Sequence, residues 1–152
     1  MFLENETATL ELGKRIANLT PDSFVIYLKG DLGAGKTCLA RGFIQGLGHT
    51  GRVKSPTYTI VEPYDVSGRR VYHLDLYRLA DPQELEFLGI RDLSAEAAVL
   101  LIEWPERGHE CLPGADLEIL LQDSEEKGND GRLVEFHAAS QPGQDLLDQL
   151  QT

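Results

Sequence analysis

The first third of the chain carries a helix, strand and helix pattern of apolar positions. Between residues 8 and 19, apolar side chains recur every three to four positions, which is typical of an amphipathic helix. The short apolar run 24–29 predicts a buried parallel strand. A glycine-rich segment, 30–35, follows this strand. The apolar stripe within 36–47 predicts a second helix, and Gly48 is a typical residue to end it.

The middle of the chain predicts a hairpin, a short helix and a further strand. Two β-rich runs, 57–64 and 70–76, are joined by a short segment containing Ser-Gly, which favours an antiparallel hairpin. The sequence Asp-Pro-Gln-Glu at 81–84 combines an N-cap, a proline in the first turn and a capping glutamate. It predicts a helix that ends at Gly89. The continuous apolar run 97–103 ends in a glutamate and predicts a central strand.

The last third predicts two paired strands and a helical or frayed end. Runs 116–122 and 132–138 read as a strand pair around the polar loop 124–131. Leucines within 144–151 are spaced for a short helix, although a frayed tail has the same composition. Strands that alternate with helices indicate an α/β fold.

Length and composition indicate one compact domain. The chain has 152 residues, of which 41% are hydrophobic and 26% charged, as in ordinary globular proteins. We predict a domain over 1–140 and a tail or short helix over 141–152. The net charge of −11 argues against autonomous binding to nucleic acid or to an anionic membrane, because both favour basic surfaces.

The cysteines and the N-terminal residues bear on where the protein works. Cys38 and Cys111 are far apart and form no CxxC pair, so neither a zinc site nor a disulfide framework is indicated. Two free thiols fit a reducing cytosol. The first six residues lack the order of a signal peptide, and no apolar run approaches the ~20 residues of a membrane span. We therefore expect a soluble cytoplasmic protein without a membrane partner.

Residues 30–37, Gly-Asp-Leu-Gly-Ala-Gly-Lys-Thr, match the P-loop pattern G-x-x-x-x-G-K-[ST] at every defined position. Glycines let the main chain approach an anion closely, and successive N–H groups then cradle phosphates in front of a helix N-terminus. The lysine adds a positive charge for the β- and γ-phosphates, and the threonine hydroxyl is placed for Mg²⁺. The segment predicts binding of a nucleoside triphosphate or diphosphate through Asp31, Leu32, Gly33, Ala34, Gly35, Lys36 and Thr37.

Two strand-end acids are candidates for the carboxylate that a P-loop enzyme needs near its metal ion. Glu103 ends the apolar run 97–103, and Asp75 ends a run whose alternation puts His73 on the same face. Either acid could instead be an exposed strand-end carboxylate. His73 is better explained as a packed or hydrogen-bonded residue than as a catalytic base. Thr37, Asp75 and Glu103 are the candidate metal ligands.

Two further residues are candidates for the nucleotide site. Thr57 follows the P-loop helix, where many P-loop proteins carry a segment that senses the γ-phosphate. It could contact Mg²⁺ or the attacking water, or could simply lead into a strand after Pro56. Trp104 directly follows Glu103, at the strand end where ligands bind in open α/β sheets, although a lone tryptophan is more often part of a core.

Missing motifs narrow the functional class. No Asn-Lys-x-Asp stretch is present to read guanine, and Arg78 stands where a GTPase switch has glycine, so a Ras-like GTPase is disfavoured. The chain is too short for a helicase core. Arg91 and Arg107 are, with Arg78, candidate arginine fingers that no sequence feature separates. Three classes stay open: an ATPase, a small-molecule P-loop kinase and a non-hydrolysing ATP-sensing module.

Four segments together resemble one family. In addition to the P-loop, these are Lys-Ser-Pro-Thr-Tyr at 54–58, His-Leu-Asp-Leu-Tyr-Arg at 73–78 and Glu-Trp-Pro at 103–105. In this order and spacing they resemble the bacterial TsaE (YjeE) family of ATPases, which serves tRNA threonylcarbamoyladenosine biosynthesis. The similarity runs from about residue 6 to residue 138.

The resemblance implies a P-loop NTPase fold with a mostly parallel central sheet flanked by helices and an antiparallel strand pair near the C-terminus. It also implies ATP and ADP binding, Mg²⁺ and slow ATP hydrolysis together with the TsaB–TsaD pair. That assembly modifies the adenosine beside the anticodon in tRNAs that read ANN codons. The resemblance implies that this chain supports turnover of that assembly and contacts tRNA only through it.

The family's site residues transfer by motif onto this sequence. The resemblance implies that Lys36 meets phosphate, that Thr37 and Glu103 serve Mg²⁺ and that Asp75 lies beside the nucleotide. We therefore take Lys36, Asp75 and Glu103 as the candidate catalytic residues. In the family the start of the first helix lies near the adenine, and a residue of the polar loop near the C-terminus reaches the nucleotide. These two features nominate Glu6, Thr7 and Lys127.

Overall fold

Residues 1–124 and 131–152 are described by the structure, a computed structural model, and they form strands and helices in alternation. Two short 3₁₀ turns, Pro105–Arg107 and His109–Cys111, follow the fifth strand. The strands and helices in chain order are β1 (Phe2–Leu3), α1 (Glu6–Leu19), β2 (Phe24–Lys29), α2 (Lys36–Gly46), β3 (Val61–Val66), β4 (Arg69–Asp75), α3 (Glu84–Phe87), α4 (Ile90–Ala95), β5 (Ala98–Glu103), β6 (Leu117–Asp123), β7 (Arg132–Ala138) and α5 (Gln141–Leu150).

Within these two described ranges, the strands form a seven-stranded sheet in the order β1-β7-β6-β2-β5-β4-β3. Its four central strands, β6, β2, β5 and β4, are parallel, whereas β3, β7 and β1 are added in antiparallel fashion. The prediction of an α/β fold with a parallel centre is confirmed, as are the hairpin and the C-terminal strand pair. Because β5 lies between β2 and β4 and all three strands are parallel, the residues that follow them meet at one edge of the sheet.

Strand β3 begins later than the sequence predicts. The predicted start at residue 57 lies in a turn, where the Ile60 amide donates to the Pro56 carbonyl at 2.8 Å. Ile60 itself has a positive φ of 69°, which breaks the extended conformation just before Val61. This turn leaves Thr57 in a loop beside the sheet edge and not on a strand.

The predicted helix over 81–89 is replaced by two shorter helices, α3 and α4. The start signal is present, because the Glu84 carboxylate accepts from the Ala80 amide at 3.1 Å and Asp81 accepts from the Gln83 amide at 2.9 Å. Gly89 takes a left-handed φ of 74° and ends α3, as predicted. The chain then resumes helical structure at Ile90, which the sequence analysis did not predict.

The C-terminal segment is a helix whose apolar face belongs to the main core. The Ser140 side chain caps α5 by accepting from the Gly143 amide at 3.1 Å, so the helix begins earlier than the leucine spacing indicates. Leu146, Leu147 and Leu150 are buried in the same apolar cluster as α1 and β2. No helix in 1–124 or 131–152 is long and apolar enough to cross a membrane.

Helices α1 and α2 pack against each other through glycines. A Cβ atom added at Gly42 would lie 2.4 Å from the Leu10 carbonyl oxygen, and one at Gly13 would lie 2.4 Å from the Leu39 carbonyl oxygen. Both contacts are with backbone, which cannot move aside without moving a helix. The helix that begins at the P-loop is therefore held in place by glycine contacts with α1.

We expect Gly42→Ala to lower the free energy of unfolding by about 1–3 kcal/mol, because the added methyl group would push two packed helices apart. Thermal unfolding followed by circular dichroism measures the effect. Gln45→Ala is the matched control, since Gln45 is exposed on the same helix. An unchanged melting temperature in Gly42→Ala would contradict the close packing of α1 on α2.

Candidate functional site

A cleft of about 670 Å³ lies at the edge of the sheet where β2, β4 and β5 end. Its volume is in the range of small-molecule binding pockets. In open α/β sheets, ligands bind outside the carboxyl ends of the strands, which is where this cleft lies. The sequence-predicted residues that line it are Glu6, Leu32, Gly33, Gly35, Lys36, Thr37, Thr57, Asp75, Glu103 and Trp104.

The loop between β2 and α2 has the backbone of an anion cradle. Gly30, Gly33 and Gly35 all have positive φ values, of 146°, 77° and 104°. Gly30 also lacks room for a side chain, since a Cβ there would lie 2.4 Å from the Leu121 carbonyl oxygen. Helix α2 starts at Lys36 without a side-chain cap, so its first amide groups are open to an anion. These features fit the phosphates of a nucleotide.

Lys36 is buried at the floor of the cleft, with 4% of its surface exposed. Its ammonium group donates to the carbonyls of Gly30 and Asp31, the latter at 2.8 Å, and lies 4.1 Å from the centroid of the Trp104 ring. Burial lowers the pKa of the amine, while nearby carboxylates oppose this shift. Lys36 thus places a desolvated positive charge at the loop, where it is available to phosphate oxygens.

Thr37 and Glu103 are in direct contact. The Thr37 hydroxyl donates to the Glu103 carboxylate, whose two oxygens lie at 2.9 and 3.1 Å. Glu103 is 2% exposed, and one of its oxygens also lies 2.6 Å from Nε2 of the fully buried His73. A threonine hydroxyl beside a carboxylate is a set of hard oxygen ligands that suits Mg²⁺. The alternative that Glu103 is an exposed strand-end acid is excluded by its burial.

Asp75 stands next to Glu103 on the neighbouring strand, in register across β4 and β5. One of its oxygens accepts from the Tyr77 amide at 3.0 Å. Burial raises the pKa of Asp75, and the negative charge of Glu103 adds to this rise. The two adjacent carboxylates favour a cation at this end of the cleft.

These oxygen ligands do not form a complete cage. In the described ranges, no group of three or more His, Cys, Asp and Glu side chains is arranged to hold a metal ion. Mg²⁺ usually binds through one or two carboxylates and completes its shell with water and substrate phosphates. The contact between Thr37 and Glu103 beside a phosphate cradle fits that form of binding.

The raised pKa of Asp75 predicts that this residue lowers stability at neutral pH. The folded carboxyl holds its proton more tightly than the unfolded one, so stability falls as pH rises from the unfolded pKa through the folded pKa. We expect Asp75→Asn to raise the melting temperature at pH 7, because the amide carries no charge to desolvate. The gain should shrink as pH falls through that window.

Differential scanning calorimetry without nucleotide, from pH 8 down to the ordinary aspartate pKa of 3.8, measures this difference. Asp92→Asn is the control, because Asp92 is an exposed aspartate on α4 and no gain is expected there. A melting temperature that drops in Asp75→Asn at pH 8 would show that the Asp75 charge stabilises the fold instead.

Arg132 also lines the cleft, although no sequence motif points to it. It stands at the start of β7, and its guanidinium donates to the Ala34 carbonyl at 2.9 Å and to the Gly33 carbonyl at 3.1 Å. It also forms an ion pair with Asp123 at 3.3 Å. Arg132 therefore ties the P-loop backbone to the antiparallel side of the sheet. No motif surrounds Arg132, and only the pairing of β7 with β6 brings it to the loop.

The structure separates the three arginine candidates. Arg78 lines the cleft, and its guanidinium lies 4.5 Å from the centroid of the Tyr58 ring. Arg107 instead stacks on Tyr77 at 5.2 Å, and Arg91 pairs with a glutamate on α3. Arg78 alone of these three is placed on the wall of the cleft.

The remaining candidate residues lie at different places relative to the cleft. Glu6 lines the cleft and forms an ion pair with Arg41 at 2.6 Å. Thr7 is exposed and is not a lining residue, whereas the buried Thr9, two positions later, is one. Lys127 lies outside the described residues. Asp31 and Ala34 line a separate hollow between the P-loop and β6.

Comparisons with known proteins agree on one family. A profile of the family described as threonylcarbamoyl adenosine biosynthesis protein TsaE matches residues 3–133. The tRNA threonylcarbamoyladenosine biosynthesis protein TsaE of Haemophilus influenzae is 45% identical, with 96% of this chain and 93% of that protein covered. The Bacillus subtilis protein of the same name is 36% identical, with 96% and 89% covered.

A solved structure has the same fold over almost the whole chain. The crystal structure of YdiB from Bacillus subtilis superposes with a TM-score of 0.84 at 31% sequence identity. The match covers 99% of this chain and 92% of that one. The predicted fold class is confirmed by this similarity and by the sheet topology.

Proposed function

The chain belongs to the TsaE family of tRNA threonylcarbamoyladenosine biosynthesis proteins, and we propose that it is the Mg²⁺-dependent ATPase of this modification. It binds ATP and ADP in the P-loop cleft, hydrolyses ATP slowly and acts with the TsaB–TsaD pair in the cytoplasm. The assembly modifies the adenosine beside the anticodon in tRNAs that read ANN codons.

One observation carries the ATPase proposal: Thr37 and Glu103 are in contact, within the cleft that holds the buried Lys36. The amides of the P-loop and the N-terminus of α2 bind phosphate oxygens. Lys36 neutralises charge on the terminal phosphates, and Thr37 and Glu103, with Asp75 beside them, hold Mg²⁺. When bound, the ion supplies charge neutralisation on the phosphoryl group that is transferred.

A dependence on partners is supported by the charge of the chain and by its arginines. A net charge of −11 opposes the phosphate neutralisation that dominates RNA affinity. The chain therefore contacts tRNA only through the complex. Among the described residues, three arginines line the cleft, and each contacts another group of the chain: Arg41 pairs with Glu6, Arg78 lies over Tyr58 and Arg132 donates to P-loop carbonyls. We therefore propose that TsaB–TsaD completes the catalytic arrangement.

Product analysis tests the proposal against the two other open classes. The chain is incubated with Mg²⁺, ATP, TsaB–TsaD and tRNA, and the fate of the γ-phosphate is followed. Free phosphate is the expected product. A phosphorylated small molecule would instead identify a kinase, and unchanged ATP under conditions that support tRNA modification would identify a sensing module.

A further inference from the structure

Besides Thr37, a second side chain holds the Glu103 carboxylate, and none of the assigned roles explains it. Nε2 of His73 lies 2.6 Å from one Glu103 oxygen, and His73 is completely buried, with 0% of its surface exposed. His73 sits on β4 two residues before Asp75, so both side chains point to the same face of the sheet. This histidine is separated from solvent and does not line the cleft.

The hydrogen bonds to the Glu103 carboxylate indicate how His73 acts. A carboxylate that binds Mg²⁺ is an acceptor only, so under the proposed function Nε2 is the donor in this contact. The Thr37 hydroxyl donates to the same carboxylate from the cleft side, at 2.9 and 3.1 Å. Glu103 is therefore bonded from the buried side by His73 and from the open side by Thr37.

The other ring nitrogen supports a role directed at Glu103. Nδ1 of His73 is buried and has no hydrogen-bond partner in the described structure. An unpaired buried polar atom costs stability, so an apolar residue would suit this position better if packing were its only purpose. The cost is offset by the single hydrogen bond that the ring makes, and that bond goes to the carboxylate.

We propose that His73 is a positioning residue that fixes the Glu103 carboxylate for Mg²⁺, an inference that rests on the proposed function. It does not touch nucleotide or metal. By occupying one Glu103 oxygen, the imidazole limits rotation of the carboxylate and keeps the other oxygen at Thr37. Groups that orient a metal ligand in this way typically contribute 10–100-fold to metal affinity or activity.

The test compares His73→Leu, which removes the donor, with His73→Gln, whose amide can place a donor near the position of Nε2. Trp104 is the only tryptophan of the chain and lies against Lys36, so its fluorescence serves as the probe. Mg²⁺ is titrated at saturating ATP, and kcat and KM are measured in excess Mg²⁺. Tyr72→Phe is the matched control, because it removes a tyrosine–glutamate hydrogen bond of 2.7 Å from the same strand.

We expect His73→Leu to need about 10–100-fold more Mg²⁺ for half-saturation, with kcat reduced and KM for ATP nearly unchanged. His73→Gln should stay close to the wild type, as should Tyr72→Phe. If His73→Leu does not fold, His73→Asn replaces it, because its shorter amide cannot span the distance to Glu103. The proposal would be overturned if His73→Gln needed as much additional Mg²⁺ as His73→Leu or His73→Asn. It would also be overturned if all these variants had the Mg²⁺ requirement of the wild type.

Failure of the proposed function gives a different result. A wild-type chain whose Trp104 fluorescence and ATP binding do not respond to Mg²⁺ would contradict the Mg²⁺-dependent ATPase itself. A wild-type response to Mg²⁺ with no loss in His73→Leu would contradict only the positioning role.

Discussion

Lys36→Ala is expected to reduce ATP hydrolysis by at least ~10²-fold, measured in the presence of TsaB–TsaD, and to weaken binding of ATP. Lys36 is buried at the P-loop, where its charge acts in a site of low dielectric and is worth more than an exposed charge. Its removal also takes away a positive charge that interacts with Asp75 and Glu103. Phosphate release and calorimetry with ATP measure the two effects.

Lys29→Ala is the matched control for Lys36→Ala. Lys29 ends the same strand from which the P-loop begins, but its amine forms a half-exposed ion pair with Glu118 at 2.8 Å. Such surface pairs contribute little, so this variant should bind and hydrolyse ATP like the wild type. Unchanged ATP affinity in Lys36→Ala would contradict the assignment of the nucleotide to the P-loop.

Glu103→Gln is expected to lower hydrolysis by ~10²-fold and to weaken the dependence of nucleotide binding on Mg²⁺. Glutamine keeps the size of the side chain and an acceptor for His73 and Thr37, so the fold should remain intact. What it removes is the negative charge that a hard divalent cation requires. The rate is measured over a range of Mg²⁺ concentrations, and circular dichroism checks the fold.

Glu106→Gln is the corresponding control, since Glu106 is exposed three residues after Glu103. It should show wild-type rates and wild-type Mg²⁺ dependence. If Glu103→Gln also kept both, Glu103 would be a structural strand-end residue, and the metal site would have to lie elsewhere.

The parts of the site that the sequence predicts are those whose signal is local. The P-loop is a contiguous motif between a strand and a helix, and both acids mark the ends of apolar runs. Because parallel strands align their carboxyl ends, the periodicity alone brings Asp75 and Glu103 to the edge where the P-loop begins.

The missed features depend on contacts between distant residues or on single backbone conformations. Arg132 reaches Ala34 across 98 positions of the chain, and only the order of β7, β6 and β2 in the sheet brings them together. The late start of β3 follows from the positive φ of Ile60. A β-branched residue rarely adopts this conformation, so the sequence does not indicate it. Strand β1 has two residues, too few for any periodicity to be visible.

The contact between His73 and Glu103 is partly predictable from the sequence and partly not. Alternation along β4 places His73 on the face of Asp75, and the residue is hydrogen-bonded within the fold, as the sequence predicts. Its partner could not be predicted, because the hydrogen bond runs diagonally between neighbouring strands. Register across β4 and β5 places Leu101, and not Glu103, opposite His73.

Steady-state phosphate release from ATP, measured with and without TsaB–TsaD, tests the proposed function most directly. The predicted result is slow release by the chain alone and at least about tenfold faster release with the pair, since groups supplied in trans can accelerate P-loop enzymes strongly. The acceleration should be absent in Lys36→Ala. Rapid hydrolysis by the isolated chain, unaffected by TsaB–TsaD, would contradict the partner-dependent ATPase.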